Sequence, residues 1–193
     1  MQFCQTDDLS QITGLILAGG KGRRVDYRDK GLVPWLGKPL IAHVCERIRP
    51  QVAELIISCN RNPDIYKKYA VTLVEDRRAN FQGPLAGLEA ALPGISTEYV
   101  LVTTCDTPLI PGDLARRLLA VMQEDPALDA CFAHDGERAH YLCSCMRNSG
   151  LYTLSSFLDT GERAVHRWYR EKRVAAVDFS DCREAFRNFN QME

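Results

Sequence analysis

Between residues 12 and 18 the chain reads Ile-Thr-Gly-Leu-Ile-Leu-Ala, an apolar stretch of strand length that empties directly into the glycine-rich basic segment Gly19-Gly-Lys-Gly-Arg-Arg24. A buried strand that ends in a polar, conformationally permissive loop is the arrangement by which open α/β sheets present ligands at their carboxyl edge. The same punctuation recurs along the chain. Residues 54–58 end in Cys59-Asn-Arg-Asn-Pro63, residues 71–75 in Asp76-Arg-Arg78, and the continuous apolar run 99–104 in Cys105-Asp-Thr-Pro108. Helix-period stretches lie between them. Leu40, Ile41, Val44, Cys45 and Ile48 mark one over 38–49, opened by Pro39 and closed by Pro50. A second, over 84–92, starts on proline and stops at Pro93-Gly94, and a third covers 111–123. Short β-rich runs alternating with helices predict parallel βαβ units and an α/β class.

Beyond Glu124 the pattern changes. Residues 128–133, the turn Asp135-Gly136 and residues 138–146 read as a β-hairpin; helical stretches over 149–158 and 162–171 and a strand over 173–179 come after it. The expected architecture is a mostly parallel central sheet flanked by helices, with a short hairpin insertion in the C-terminal half. One domain is expected over 1–193, with residues 1–11 flexible.

Charge removes several function classes. Twenty-four basic and 25 acidic side chains leave a net charge of −1, so no surplus draws the molecule to nucleic acid or to a membrane surface, and any phosphate site must be local. No apolar run approaches the ~18 residues of a membrane helix. The opening MQFCQTDDLSQ lacks the positive start and apolar core of an export signal, so the expected location is the cytoplasm. The 8 cysteines contain no Cys-x-x-Cys pair and fall mostly in apolar segments, which predicts reduced, buried thiols.

The chemistry concentrates at two strand tips. Glycines without Cβ let successive N–H groups converge on phosphate oxygens, and Lys21, Arg23, Arg24 and Lys30 oppose their charge. The spacing satisfies neither the Walker pattern nor the Rossmann Gly-x-Gly-x-x-Gly order. Asp106, set at the end of an apolar strand with small neighbours, is the expected ligand for a divalent cation that neutralises a triphosphate. His140 falls on the opposite strand face from Cys143 and Cys145, which argues for packing rather than zinc. His43, His166, Trp35, Trp168 and Tyr169 are read as packing too.

These pieces, in this order, resemble the molybdenum cofactor guanylyltransferases. The likeness is carried by Leu17-Ala-Gly-Gly-Lys-Gly-Arg-Arg24, Asp29-Lys30-Gly-Leu32, Gly37-Lys-Pro-Leu40, Asn60-Arg61-Asn62, Phe81-Gln-Gly-Pro-Leu-Ala-Gly87 and Cys105-Asp-Thr-Pro108. It continues through Asp135-Gly-Glu-Arg138, Gly161-Glu-Arg-Ala-Val165, Val177-Asp-Phe-Ser-Asp181 and Ala185-Phe-Arg-Asn-Phe-Asn190, so that it covers nearly all of 12–190. The resemblance implies a Rossmann-like nucleotidyltransferase that joins the GMP part of GTP to the phosphate of molybdopterin with Mg²⁺, releasing pyrophosphate. Carried over, Leu17, Ala18, Gly19 and Gly20 line the GTP site, Lys30 reaches its phosphates with Arg24, Asp76 contacts the nucleotide, and Asp106 binds nucleotide and Mg²⁺. A family position that is often Asn falls on Ser58, with Asn60 two residues later. Asn188 and Asn190 lie on the pterin side. Protein partners implied are molybdenum-insertion proteins or molybdoenzyme chaperones. Where the family carries Met-Gly-Gly, this chain has Val25-Asp26-Tyr27, and the family's His-Pro is His140-Tyr141. A CTP-dependent cytidylyltransferase and a non-catalytic nucleotide- or cofactor-binding relative are the alternatives.

Overall fold

The computed structural model describes residues 6–19, 29–70, 72–79 and 82–189. Gly20, Arg24 and Asn190, among the expected site residues, lie outside them. In chain order the elements are β1 (Ile12–Leu17), β2 (Pro34–Trp35), β3 (Lys38–Pro39), α1 (Leu40–Ile48), β4 (Glu54–Ser58), α2 (Pro63–Tyr66), β5 (Thr72–Val74) and α3 (Pro84–Ala91). Then come β6 (Tyr99–Thr104), α4 (Leu114–Glu124), β7 (Ala130–His134), β8 (Ala139–Arg147), α5 (Leu154–Asp159), α6 (Val165–Tyr169) and β9 (Val174–Asp178).

The main sheet has the order β5-β4-β1-β6-β8-β7-β9. β1 is buried along its whole length because parallel neighbours flank it on both sides: Leu15 registers with Ile56 of β4 and with Val102 of β6. Successive side chains of β1 point to opposite faces. Ile12 and Ile16 join Val44 and Ile48 of α1 and Leu118 of α4 in one core layer, while Leu15 and Leu17 join Leu85 and Leu88 of α3, Phe157 of α5 and Trp168 of α6 in the other.

The expected hairpin is present as β7 and β8, turning at Gly136 with φ of 93°. β8 pairs antiparallel with β6 as well as with β7, and β9 pairs parallel with β7. Two reversals cancel, so β7 and β9 run in the same direction as β1, β4, β5 and β6. All six therefore end on one edge of the sheet, and that geometry gathers the site.

Some elements differ from the sequence expectation. α4 starts at Leu114, three residues late, since the Leu114 N–H closes a turn on the Pro111 carbonyl (3.3 Å) before the helix begins. The stretch 149–158 is a 3₁₀ helix, Asn148–Thr153, continued by α5. Residues 34–39 form the β2–β3 hairpin through Leu36 (φ 47°) and Gly37 (φ 78°), and Ser180–Phe186 is a further 3₁₀ segment; no periodicity in the sequence marks either one. Thr6–Gln11 is a 3₁₀ helix whose Leu9 packs on the core. Cys45, Cys59, Cys105, Cys131, Cys143 and Cys145 are free and buried, and Cys182 is free and half-buried.

Candidate active site

Inter-strand bonding continues past the strands' last residues and so fixes the first positions of the loops at their tips. The Ala18 N–H donates to the Ser58 carbonyl (2.8 Å), the Cys59 N–H to Val74 (2.9 Å), and the Cys105 N–H to Leu17 (3.1 Å). Gly19, Asn60, Asp76 and Asp106 emerge side by side as a result. Asn60 and Asp76 hold each other: Asn60 Nδ2 donates to Asp76 Oδ2 (2.8 Å), and the Asp76 N–H donates to Asn60 Oδ1 (2.9 Å). Burial pushes the Asp76 carboxyl above the usual carboxylate range; the bond from Asn60 opposes that, and Glu75 and Glu89 add to it. Gly19 sits so close that a Cβ there would lie 2.9 Å from Asn60 Nδ2.

Ser58 is placed differently from its neighbours. It is 1% exposed, and its hydroxyl packs under the Gly87 backbone of α3, where a Cβ on residue 87 would stand 2.6 Å from Oγ. The surface position on this strand tip belongs to Asn60.

Lys30 opens a 3₁₀ turn, Lys30–Leu32, directly after Asp29. Asp29 is anchored by the Tyr66 hydroxyl (2.5 Å) and by Asn62 Nδ2 (3.1 Å), and Gly31 packs so tightly on the Tyr66 hydroxyl that any side chain would collide with it. Tyr66 is fully buried, so this side of the site rests on the core. The turn carries Lys30 Nζ to 3.3 Å from Asp106 Oδ2, with the two side chains 29% and 12% exposed. Residues 76 positions apart thus form one ion pair. Thr107 Oγ1 donates to the Thr104 carbonyl (3.0 Å), tightening the turn that presents Asp106.

The far side is built from β7, β8 and the tail. Asp135 Oδ1 accepts the N–H groups of Glu137 (2.9 Å) and Arg138 (2.6 Å), and Oδ2 accepts His140 Nε2 (2.7 Å). Burial pushes this carboxyl up, but those three donors outweigh it and hold it well below the usual range. The His140 ring stacks on Phe186 at 4.7 Å. Asn188 is exposed, and next to it the Phe189 N–H donates to the carbonyl of Asp106 (2.8 Å).

Two arginines brace the segment that carries Asp76. Arg78 pairs with Glu89 through Nε (2.6 Å) and with Asp159 through Nη1 (2.8 Å), and Arg163 Nε donates to Gln82 Oε1 (2.6 Å). Asp29, Asp135, His140 and Arg163 fall within segments that carry the family resemblance, but the sequence gives them no role of their own, and nothing in it marks Tyr66 or Arg78, since each acts on another residue's placement across the fold. Among the described residues no group of three or more His, Cys, Asp or Glu side chains stands ready to cage a metal ion. No helix among them is long and apolar enough to cross a membrane.

The chain matches the MobA-like NTP transferase domain over residues 14–175. It is 42% identical over 183 residues to the molybdenum cofactor guanylyltransferase of Shewanella sp. (strain MR-4), covering 95% of this chain and 92% of that one. The enzyme of that name from Shewanella pealeana is 39% identical over 184 residues with the same coverage. Among solved structures, the molybdopterin-guanine dinucleotide biosynthesis protein A of Archaeoglobus fulgidus shares the fold at a TM-score of 0.75 and 22% identity, covering 93% and 92% of the two chains.

Proposed function

Since the chain belongs to the molybdenum cofactor guanylyltransferase family of nucleotidyltransferases, we propose that it transfers GMP from GTP to the phosphate of molybdopterin, giving the guanine dinucleotide and pyrophosphate. The observation that carries this reading is the Lys30–Asp106 pair, 3.3 Å apart at a strand tip between Gly19 and the tail. A phosphate oxygen of the acceptor, already ionised, forms a bond to the α-phosphorus while the bond to the bridging oxygen breaks and pyrophosphate leaves with the electron pair. No covalent enzyme intermediate and no base are needed. The protein's task is to align two polyanions and to oppose the charge that grows on the leaving group. Lys30, with Arg24 and the N–H groups of Gly19 and Gly20, is proposed for that charge, and Leu17, Ala18, Asn60 and Asp76 for the nucleoside end, with Asn60 in place of the buried Ser58.

Mg²⁺ is the proposed cofactor. This ion keeps several waters and takes one or two carboxylates together with substrate phosphates. Asp106, at the tip of β6 and paired with Lys30, offers one carboxylate to a cation that arrives with the triphosphate. Bound by Asp106, it would neutralise negative charge shared among the phosphates.

Asn188 and Asn190 are proposed to face the pterin. The product's receivers are proposed to be molybdenum-insertion proteins or molybdoenzyme chaperones, and the cytoplasm the place of action. The decisive measurement is pyrophosphate release with molybdopterin and either GTP or CTP, with and without Mg²⁺. Turnover with GTP and not with CTP is expected, and preference for CTP would transfer the chain to the cytidylyl reaction. Asp106→Asn should reduce turnover by about 10²-fold or more while circular dichroism stays unchanged; near-normal turnover would remove Asp106 from the metal site.

A further inference from the structure

Trp35 and Phe189 come from distant parts of the chain, and their rings meet with centroids 4.8 Å apart and planes inclined by 57°. Both are half-buried. The Phe189 N–H is the group that bonds to the Asp106 carbonyl, so the contact lies beside the proposed metal ligand. Asn188 is therefore held from two sides, by Phe186 stacked on His140 and by Phe189 packed on Trp35.

Trp35 is itself well fixed. Its carbonyl bonds to His43 Nε2 (2.8 Å), and its ring meets the His43 ring edge-on at 4.8 Å. A hairpin of two-residue strands cannot hold its own shape in water, so α1 and the tail supply the support that β2 and β3 lack. We propose that Trp35 is a positioning residue for the acceptor substrate: through Phe189 it sets where the tail carries Asn188 past Asp106. The inference rests on the reading that the tail faces the pterin. The nucleotide side has anchors apart from the tail, since Asp29, Tyr66 and Asn62 hold the Lys30 turn, and the Cys105 N–H on Leu17 and the Thr107 hydroxyl on Thr104 hold the turn that presents Asp106. Loss of the aromatic contact should therefore act on one substrate and spare the other.

The test is steady-state kinetics of Trp35→Ala, Trp35→Phe and Phe189→Ala with each substrate varied in turn. Trp35→Ala and Phe189→Ala should raise KM for molybdopterin about tenfold and leave KM for GTP within about twofold, with Trp35→Phe close to the parent. An unchanged molybdopterin KM, or an equal rise in both constants, overturns the proposal. Phe189→Ala leaves the hairpin side chains intact and answers the question if Trp35→Ala does not fold. Asn188→Ala separates the two levels of the argument. A parental molybdopterin KM in Asn188→Ala refutes the pterin-side reading of the tail; a raised one beside a parental value in Trp35→Ala refutes the positioning role alone.

Discussion

At Asp76, the proposed nucleotide contact and stability pull in opposite directions. Its carboxyl is half-buried and raised, chiefly by desolvation, so the folded state favours the protonated form more than the unfolded chain does. A raised folded value means that this group's contribution to stability is greatest below the unfolded carboxylate range of about pH 4 and is lost as pH rises through the folded value. Asp76→Asn keeps the shape and an oxygen to accept from Asn60. Thermal melts should show the variant gaining stability over the parent as pH rises from about 4 to 7, with no gain below about pH 4, while GTP affinity falls. At this scale Lys30 and Asp106 were legible, because a cation near a glycine segment and an acid after an apolar strand each announce phosphate chemistry. Tyr66 was not. Tyr66 looks like an ordinary core aromatic until the fold brings its hydroxyl to Asp29, 37 positions away.

Elements depend on polar residues that periodicity cannot reveal. Gln51 is 4% exposed, yet its amide donates to the carbonyls of Arg47 (2.8 Å) and Pro111 (3.0 Å) and accepts the Ala115 N–H at the start of α4 (2.9 Å). It links the end of α1 to the start of α4 and satisfies one of that helix's orphan donors. Gln51→Leu should cost about 2–3 kcal/mol, because it strands a buried donor and two carbonyls. Differential scanning calorimetry should then report a Tm lower by about 4–12 °C, and a Tm within a degree or so of the parent would contradict the account. β1, β4, β6, α1 and α3 were readable because their apolar spacing spans several residues and glycine or proline marks their ends. The β2–β3 hairpin was not, since two-residue strands fall below any periodic window and depend on contacts with His43 and Phe189.

Across the whole molecule, the sheet sorts the chemistry into two halves. β5, β4, β1 and β6 present the proposed nucleotide side, and β8, β7, β9 and the tail present the proposed acceptor side. The class and the hairpin are legible in the alternation of runs. The insertion of β8 between β6 and β7 is not, because strand order is decided by pairings such as Val102 with Ser144, 42 positions apart, that leave no local mark. Ligand linkage reads the site as a unit. GTP with Mg²⁺ at about 100 times its Kd should stabilise the fold by about 2.7 kcal/mol, a Tm rise of roughly 5–11 °C for a chain of this size. A chelator should remove most of that rise in a thermal-shift measurement, and a rise that survives chelation would show triphosphate binding independent of the cation.

The cancelled reversal at β8 has a metric consequence. Adjacent strands lie about 4.8 Å apart, so the tips of β6 and β7, separated by β8 alone, stand about 9.6 Å from one another. Asp106 and the Asp135–His140 pair thus behave as two marks on a ruler whose spacing backbone hydrogen bonds set and side-chain drift barely alters. Any acceptor that touches both marks is gauged by length before its composition is read.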